Sequence, residues 1–139
     1  MTTLPKPDWY VSYHGGHSSD YCDHGKSPLR AMVEAAAANG MVHYGISEHA
    51  PRTRPELLFP NERDLGWTVD TVRSNFEQYA RASRELVAAF SGRLNLLRGF
   101  EIEVMPQDTY PEIMRGYQEQ YSFDYVIGSV HYLDGELVD

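Results

Sequence analysis

The sequence predicts an α/β fold in which parallel strands are joined by crossover helices. Three observations predict it. Short apolar runs, "MVHYGIS", "LNLLRGFEIEV" and "FDYVIGSVHYL", read as buried strands. Between them lie segments with helical apolar periodicity and recognisable start and stop residues. The two kinds alternate along the whole chain, and such alternation implies a parallel sheet covered by helices.

The elements follow in order. "DWYVSY" is a short β-like run. "KSPLRAMVEAAAANG" reads as a helix capped by Ser27, with Pro28 at the first helical position and Asn39-Gly40 as the stop. Its apolar stripe is Leu29, Met32, Val33 and Ala36. "MVHYGIS" is a strand ending at Ser47, so Glu48 and His49 open the next loop. That loop, "EHAPRTRPELLFPNERDLGW", carries three prolines, and a loop of this length is often functional. "TVDTVRSNFEQYARASRELVAAFSG" is the clearest helix: Val69, Val72, Phe76, Tyr79, Leu86 and Phe90 lie close to one face. "LNLLRGFEIEV" places Glu101 and Glu103 on one side of a strand. "YPEIMRGYQEQYS" is a helix with proline in its first turn, and "FDYVIGSVHYL" a last strand with His131 at its end.

Composition bounds the function. The 139 residues suit one domain, 1–139, or part of a larger one. Ten tyrosines, five phenylalanines and two tryptophans support a packed core. No apolar run is long enough to span a membrane, the N-terminus has no signal-like segment, and the single cysteine forms no internal disulfide. These features point to a cytoplasmic protein. A net charge of -8 disfavours nucleic acid as a partner. Ten of the twelve cations are arginines, which leaves a small phosphorylated ligand open.

The candidate chemistry is concentrated in "YHGGHSSDYCDHG", which holds three of six histidines and the one cysteine. His14, His17 and His24 lie in this first loop, His49 just past the second strand, Glu101 in the third and His131 at the end of the fourth. Strand C-termini of parallel α/β folds converge on the ligand-binding side. Imidazoles with a carboxylate suit zinc, manganese or iron. Singly, His49 and His131 are better read as structural and His24 is even; the conjunction carries the case. A lone acid such as Glu101 in an apolar strand needs a metal or cationic partner. Glu103 is either a hydrogen-bond partner of a ligand or solvent-facing, His43 is structural, and Cys22 is a packed thiol. There is no phosphate loop, dinucleotide fingerprint, HExxH or GxSxG motif.

Taken together, "YCDHG", "GISEHAP", "GFEIEV" and "DYVIGSVHYLDG" resemble the histidinol-phosphatases of the polymerase-and-histidinol-phosphatase (PHP) superfamily. The resemblance implies a distorted (β/α)7 barrel and up to three divalent metal ions. It further implies a phosphomonoesterase that hydrolyses histidinol phosphate in histidine biosynthesis. It makes His14 and His17 first-motif ligands, pairs His24 with His49, lets Glu101 bridge two metals and puts His131 on the opposite metal. Glu101 and His131 would carry the catalytic centre. Two glycines separate His14 from His17 where the family has one residue, so the backbone must bend to aim both rings at one site. Arg52 and Arg54 are either phosphate contacts or solvated loop residues, and Glu48 or Glu103 would orient a ligating imidazole. The further histidine and Asp-x-His ligands of the family are not found here. The chain is therefore expected to be the N-terminal portion of a PHP domain, incomplete at its C-terminal end, with weak metal binding and little turnover by itself. The alternatives are a PHP phosphoesterase acting on nucleotides and an inactive fragment. No oligomeric state is implied.

Overall fold

The computed structural model describes residues 10–134 and 136–138. Its elements are β1 (Val11–Ser12), α1 (Leu29–Ala38), β2 (His43–His49), a 3-10 turn (Pro55–Leu57), α2 (Pro60–Asp64), α3 (Val69–Phe90), β3 (Asn95–Glu103), α4 (Tyr110–Tyr121), β4 (Tyr125–Ser129), β5 (Tyr132–Leu133) and β6 (Glu136–Leu137). The first four strands form one sheet in chain order, β1-β2-β3-β4, with every pairing parallel. Sequential order with a helix between neighbours curls the sheet into a half-barrel, so the predicted class holds. β5 and β6 form a separate antiparallel hairpin.

Five local expectations need correction. Ser27 does not cap α1. Pro28 occupies the cap position, and the Asp20 carboxylate accepts from Leu29 N–H at 2.8 Å in its place. β2 runs on past Ser47 to His49 because its ladder with β3 continues to the His49–Glu101 pair. The segment after it is not plain loop: Pro55 and Pro60 each start a short helical turn. β4 stops at Ser129, so His131 lies in the connection to β5 rather than in the strand. The β-like run at 8–13 is strand only over Val11–Ser12 among the described residues.

The core lies between the outer face of the sheet and the helices. Thr68 caps α3, its hydroxyl accepting from Thr71 N–H, and α3 buries Val72, Phe76, Tyr79, Ala80, Leu86 and Phe90. Phe76, Tyr79, Phe100 and Phe123 pack as an aromatic cluster with ring centroids 5.0–6.1 Å apart. Arg98 is buried beside it and makes four hydrogen bonds through its guanidinium. Its guanidinium donates to Ser83 Oγ and Ala80 O of α3 and to Tyr121 O and Ser122 O at the end of α4. It thus satisfies carbonyls that a helix C-terminus leaves bare.

The inner face is built differently. Tyr125 lies flat across the sheet, and its hydroxyl donates to Ile46 O at 3.2 Å. A Cβ on Gly99 would meet the Tyr125 ring at 2.4 Å, and one on Gly45 would meet its hydroxyl at 2.3 Å. Glycine in these strands marks that close approach. Gly99→Ala therefore overpacks a rigid ring and is expected to lower unfolding free energy by ~1–3 kcal/mol in urea titration.

Candidate functional site: a cluster of imidazoles and carboxylates

The site forms at the C-terminal ends of β2, β3 and β4, over the first loop. The parallel register sets His49 opposite Glu101 and Glu101 opposite Ile127. Strand alternation then puts Glu101 and Glu103 on one face. Two glycines shape the first loop beneath them. Gly15 N–H donates to Gly45 O at 3.0 Å, and a Cβ there would meet the Tyr44 hydroxyl at 2.4 Å. Gly16 has φ +88°, a left-handed conformation that glycine adopts readily. This is the bend that the spacing of His14 and His17 requires. His14 Nε2 comes to 3.0 Å and His17 Nε2 to 3.1 Å of the same Glu101 Oε2.

The remaining imidazoles close the ring. His17 stacks on His49 with centroids 3.8 Å apart, and His49 Nε2 faces His24 Nε2 at 3.4 Å. His131 is gripped from below by Glu103. Its backbone N–H donates to one carboxylate oxygen at 2.7 Å, and its Nδ1 lies 2.6 Å from the other. A proton held on Nδ1 leaves Nε2 free, and Nε2 lies 3.8 Å from Glu101 Oε1. Glu103 is thus a partner of His131 rather than solvent-facing. Glu48 is 1% exposed and accepts from Ser18 N–H at 2.8 Å. Its second oxygen lies 3.9 Å from His17 Nδ1.

The electrostatics follow from this crowding. Burial pushes the Glu101 carboxyl up, but the His17 hydrogen bond and the neighbouring imidazoles outweigh it and draw it down to about 2. Burial, then the neighbouring His17 and Arg52, holds His49 well below the usual histidine range, and the same influences lower His24. Both are therefore neutral donors near pH 7. His17 behaves oppositely: burial works against its proton, yet Glu101 and Glu48 raise its pKa overall.

These residues fit a metal ion. Donor atoms of His17, His24 and His49 lie within 4.8 Å of one another, and so do those of His14, His17 and Glu101. His17 belongs to both groups. Its Nδ1 and Glu48 Oε2 are buried without a hydrogen-bond partner, which is uncommon for structural polar groups. Imidazoles around an ionised carboxylate are donors suited to zinc, manganese or iron.

Four side chains sort differently. Arg52 is buried, paired with Glu62, and lies over the Phe59 ring, so it is not a solvated loop residue. Arg54 is exposed. Cys22 is buried with Sγ 3.1 Å from both His24 ring nitrogens, and burial pushes its thiol up to about 11, as a packed thiol requires. His43 lies away from the cluster, 2.6 Å from Asn95 Nδ2. Sequence reasoning missed Phe59, whose ring lies 5.3 Å from His49 and 6.0 Å from His131. Nothing in its spacing marks it.

Comparison with known proteins places this geometry. The family pattern described as "PHP domain" matches residues 14–138. The chain is similar to a candidate histidinol-phosphatase of Schizosaccharomyces pombe, with 29% identity over 93% of the chain and 41% of the relative. It is similar to the histidinol-phosphatase of Saccharomyces cerevisiae, with 26% identity over 91% of the chain and 40% of the relative. Among solved structures, a candidate histidinol phosphatase from Listeria monocytogenes superposes with a TM-score of 0.68. That match has 22% identity and covers 84% of this chain and 43% of the other, which supports the fold. The chain thus spans about two-fifths of the length of the curated relatives it matches. No helix among the described residues is long and apolar enough to cross a membrane.

Because Glu103 fixes the tautomer of His131, Glu103→Ala is expected to weaken Zn²⁺ or Mn²⁺ binding by ~10–100-fold. Competition against a chelator measures this, and Glu103→Gln, which keeps an acceptor, should lose less.

Proposed function

The chain belongs to the PHP-domain family, and from that premise we propose that it carries part of the metal site of a phosphomonoesterase of the histidinol-phosphatase type. The observation that supports this reading most is the convergence of His14, His17, His24, His49 and His131 on Glu101. Under this reading the substrate is a small phosphorylated molecule, histidinol phosphate, and the ions are Zn²⁺, Mn²⁺ or Fe²⁺.

His17, His24 and His49 would hold one ion and His14, His17 and Glu101 a second, with His131 reaching Glu101 from the other side. Bound ions supply positive charge for the phosphoryl oxygens and acidity for a nucleophilic water. The chain's own residues prepare for this. Glu101 turns one oxygen to His14 and His17 and the other toward His131, the arrangement a bridging carboxylate needs. Glu103 keeps a proton on His131 Nδ1. His24 and His49 would stay unprotonated because partial desolvation and the nearby His17 and Arg52 lower their pKa values. Arg54, exposed in the segment after β2, could meet phosphate.

A second reading is favoured by one observation, the two-fifths share of the relatives' length. In it, these 139 residues bind metal but need further barrel strands for turnover. One experiment tests both. Metal content by elemental analysis and histidinol phosphate hydrolysis are measured on this chain and on a form extended to the relatives' length. The phosphatase reading expects metal in both forms and histidinol phosphate turnover in the longer one; the second reading adds that turnover is weak or lacking in the shorter. Absence of metal from both forms overturns it. Equal turnover in both discards the second reading alone.

A further inference from the structure

The segment between β2 and α3 is a clasp built around one aromatic ring. Arg52 and Glu62 form an ion pair in which both side chains are only 6% exposed. The Arg52 guanidinium lies 4.4 Å from the Phe59 centroid, covering the back of the ring. Glu62 uses its other oxygen to accept Phe59 N–H at 2.9 Å, so one carboxylate holds both the cation and the backbone of the residue it covers. The clasp is tied to its surroundings at two points. Asn61 Nδ2 donates to the Asp23 carboxylate at 3.2 Å, and the Tyr132 hydroxyl donates to Leu57 O at 3.4 Å. Phe59 is thereby pinned from behind, from its own backbone and from both flanks.

The ring also lies against the site. Phe59 meets His49 at 5.3 Å and 71°, and His131 at 6.0 Å and 89°, a T-shaped contact with each. These histidines come from β2 and from beyond β4, with β3 between them. Their own centroids are 6.4 Å apart. Phe59 contacts both across the end of β3. A buried ion pair is a poor source of stability, because desolvation offsets much of its attraction, and Arg52 Nε is left without a partner. What the pair does provide is a single position for Phe59.

We propose that Phe59 is a positioning residue, an aromatic wall that fixes the imidazoles of His49 and His131 and excludes bulk water from that side of the metal site. Arg52 and Glu62 act through it. The inference rests on the metal-site reading above and adds to it the device that orients two ligands from different strands. It also gives Arg52 a role that needs no phosphate.

The test uses the full chain loaded with Mn²⁺ as the probe, and water-proton relaxation as the readout of solvent reaching the ion. Phe59→Ala is expected to raise relaxation per bound Mn²⁺ and to weaken Mn²⁺ binding about tenfold. Arg52→Gln should reproduce both changes, and the double variant should be no worse than Phe59→Ala, since the two act as one unit. Phe59→Leu, which keeps apolar volume, should retain the wild-type melting temperature and show a smaller change of the same sign. If Phe59→Ala fails to fold, Phe59→Leu decides. Unchanged relaxation and affinity in a folded Phe59 variant overturn the inference while the metal site stands. Failure of the unsubstituted chain to bind Mn²⁺ overturns the metal-site reading first, and this inference with it.

Discussion

A carboxylate near the end of a parallel strand, removed from water, carries a large free-energy cost unless partners surround it. Glu101 is 4% exposed, and the architecture supplies its partners from three separate stretches of chain. His14 and His17 come from the first loop and His131 from beyond β4, while His49 stands beside it on β2. Each of these stretches ends at the same edge of the sheet because the strands run parallel in chain order. An antiparallel neighbour would present its C-terminus at the far edge. The topology and the charge requirement of one side chain are in this sense the same constraint.

The charge balance also explains the division of labour among the acids. A chain of net charge -8 is a poor host for a phosphorylated substrate unless positive charge is concentrated locally. Glu48, Glu101 and Glu103 are all withdrawn from solvent at the site, where they face imidazoles rather than bulk water. In the phosphoesterase reading these carboxylates set the donors, and the ions provide the excess positive charge. Arginine takes little part. Arg52 and Arg98 are buried in structural roles, one behind Phe59 and the other at the end of α4.

Much of this was legible from residue order, and the rest for identifiable reasons was not. The alternation of apolar runs with amphipathic segments reads directly as parallel strands and crossover helices, since each period is a local property. The imidazole set was legible because its members fall at the ends of those strands. His49 was misplaced into a loop because the polar pair Glu48-His49 looks like a strand end, whereas its ladder partners Phe100 and Glu101 lie 52 residues downstream. The cap of α1 was misassigned because Asp20 reaches it from across a loop. Phe59 could not be singled out, since its contacts are made with His49 and His131 from two other segments. Local patterning reveals elements; contacts between distant segments need the fold.

The inner surface of the half-barrel has a consequence for how such a sequence can vary. Tyr125 occupies space that Gly45 and Gly99 leave open on two neighbouring strands, so three positions on three strands share one volume. None of them can drift by itself. A methyl group at 99 needs a smaller ring or no ring at 125, and one at 45 must in addition clear the Tyr13 carbonyl oxygen, which its Cβ would meet at 2.7 Å. Among relatives that keep this curvature, positions 99 and 125 should change in concert, while 45 is held to glycine by backbone as well as by the shared ring.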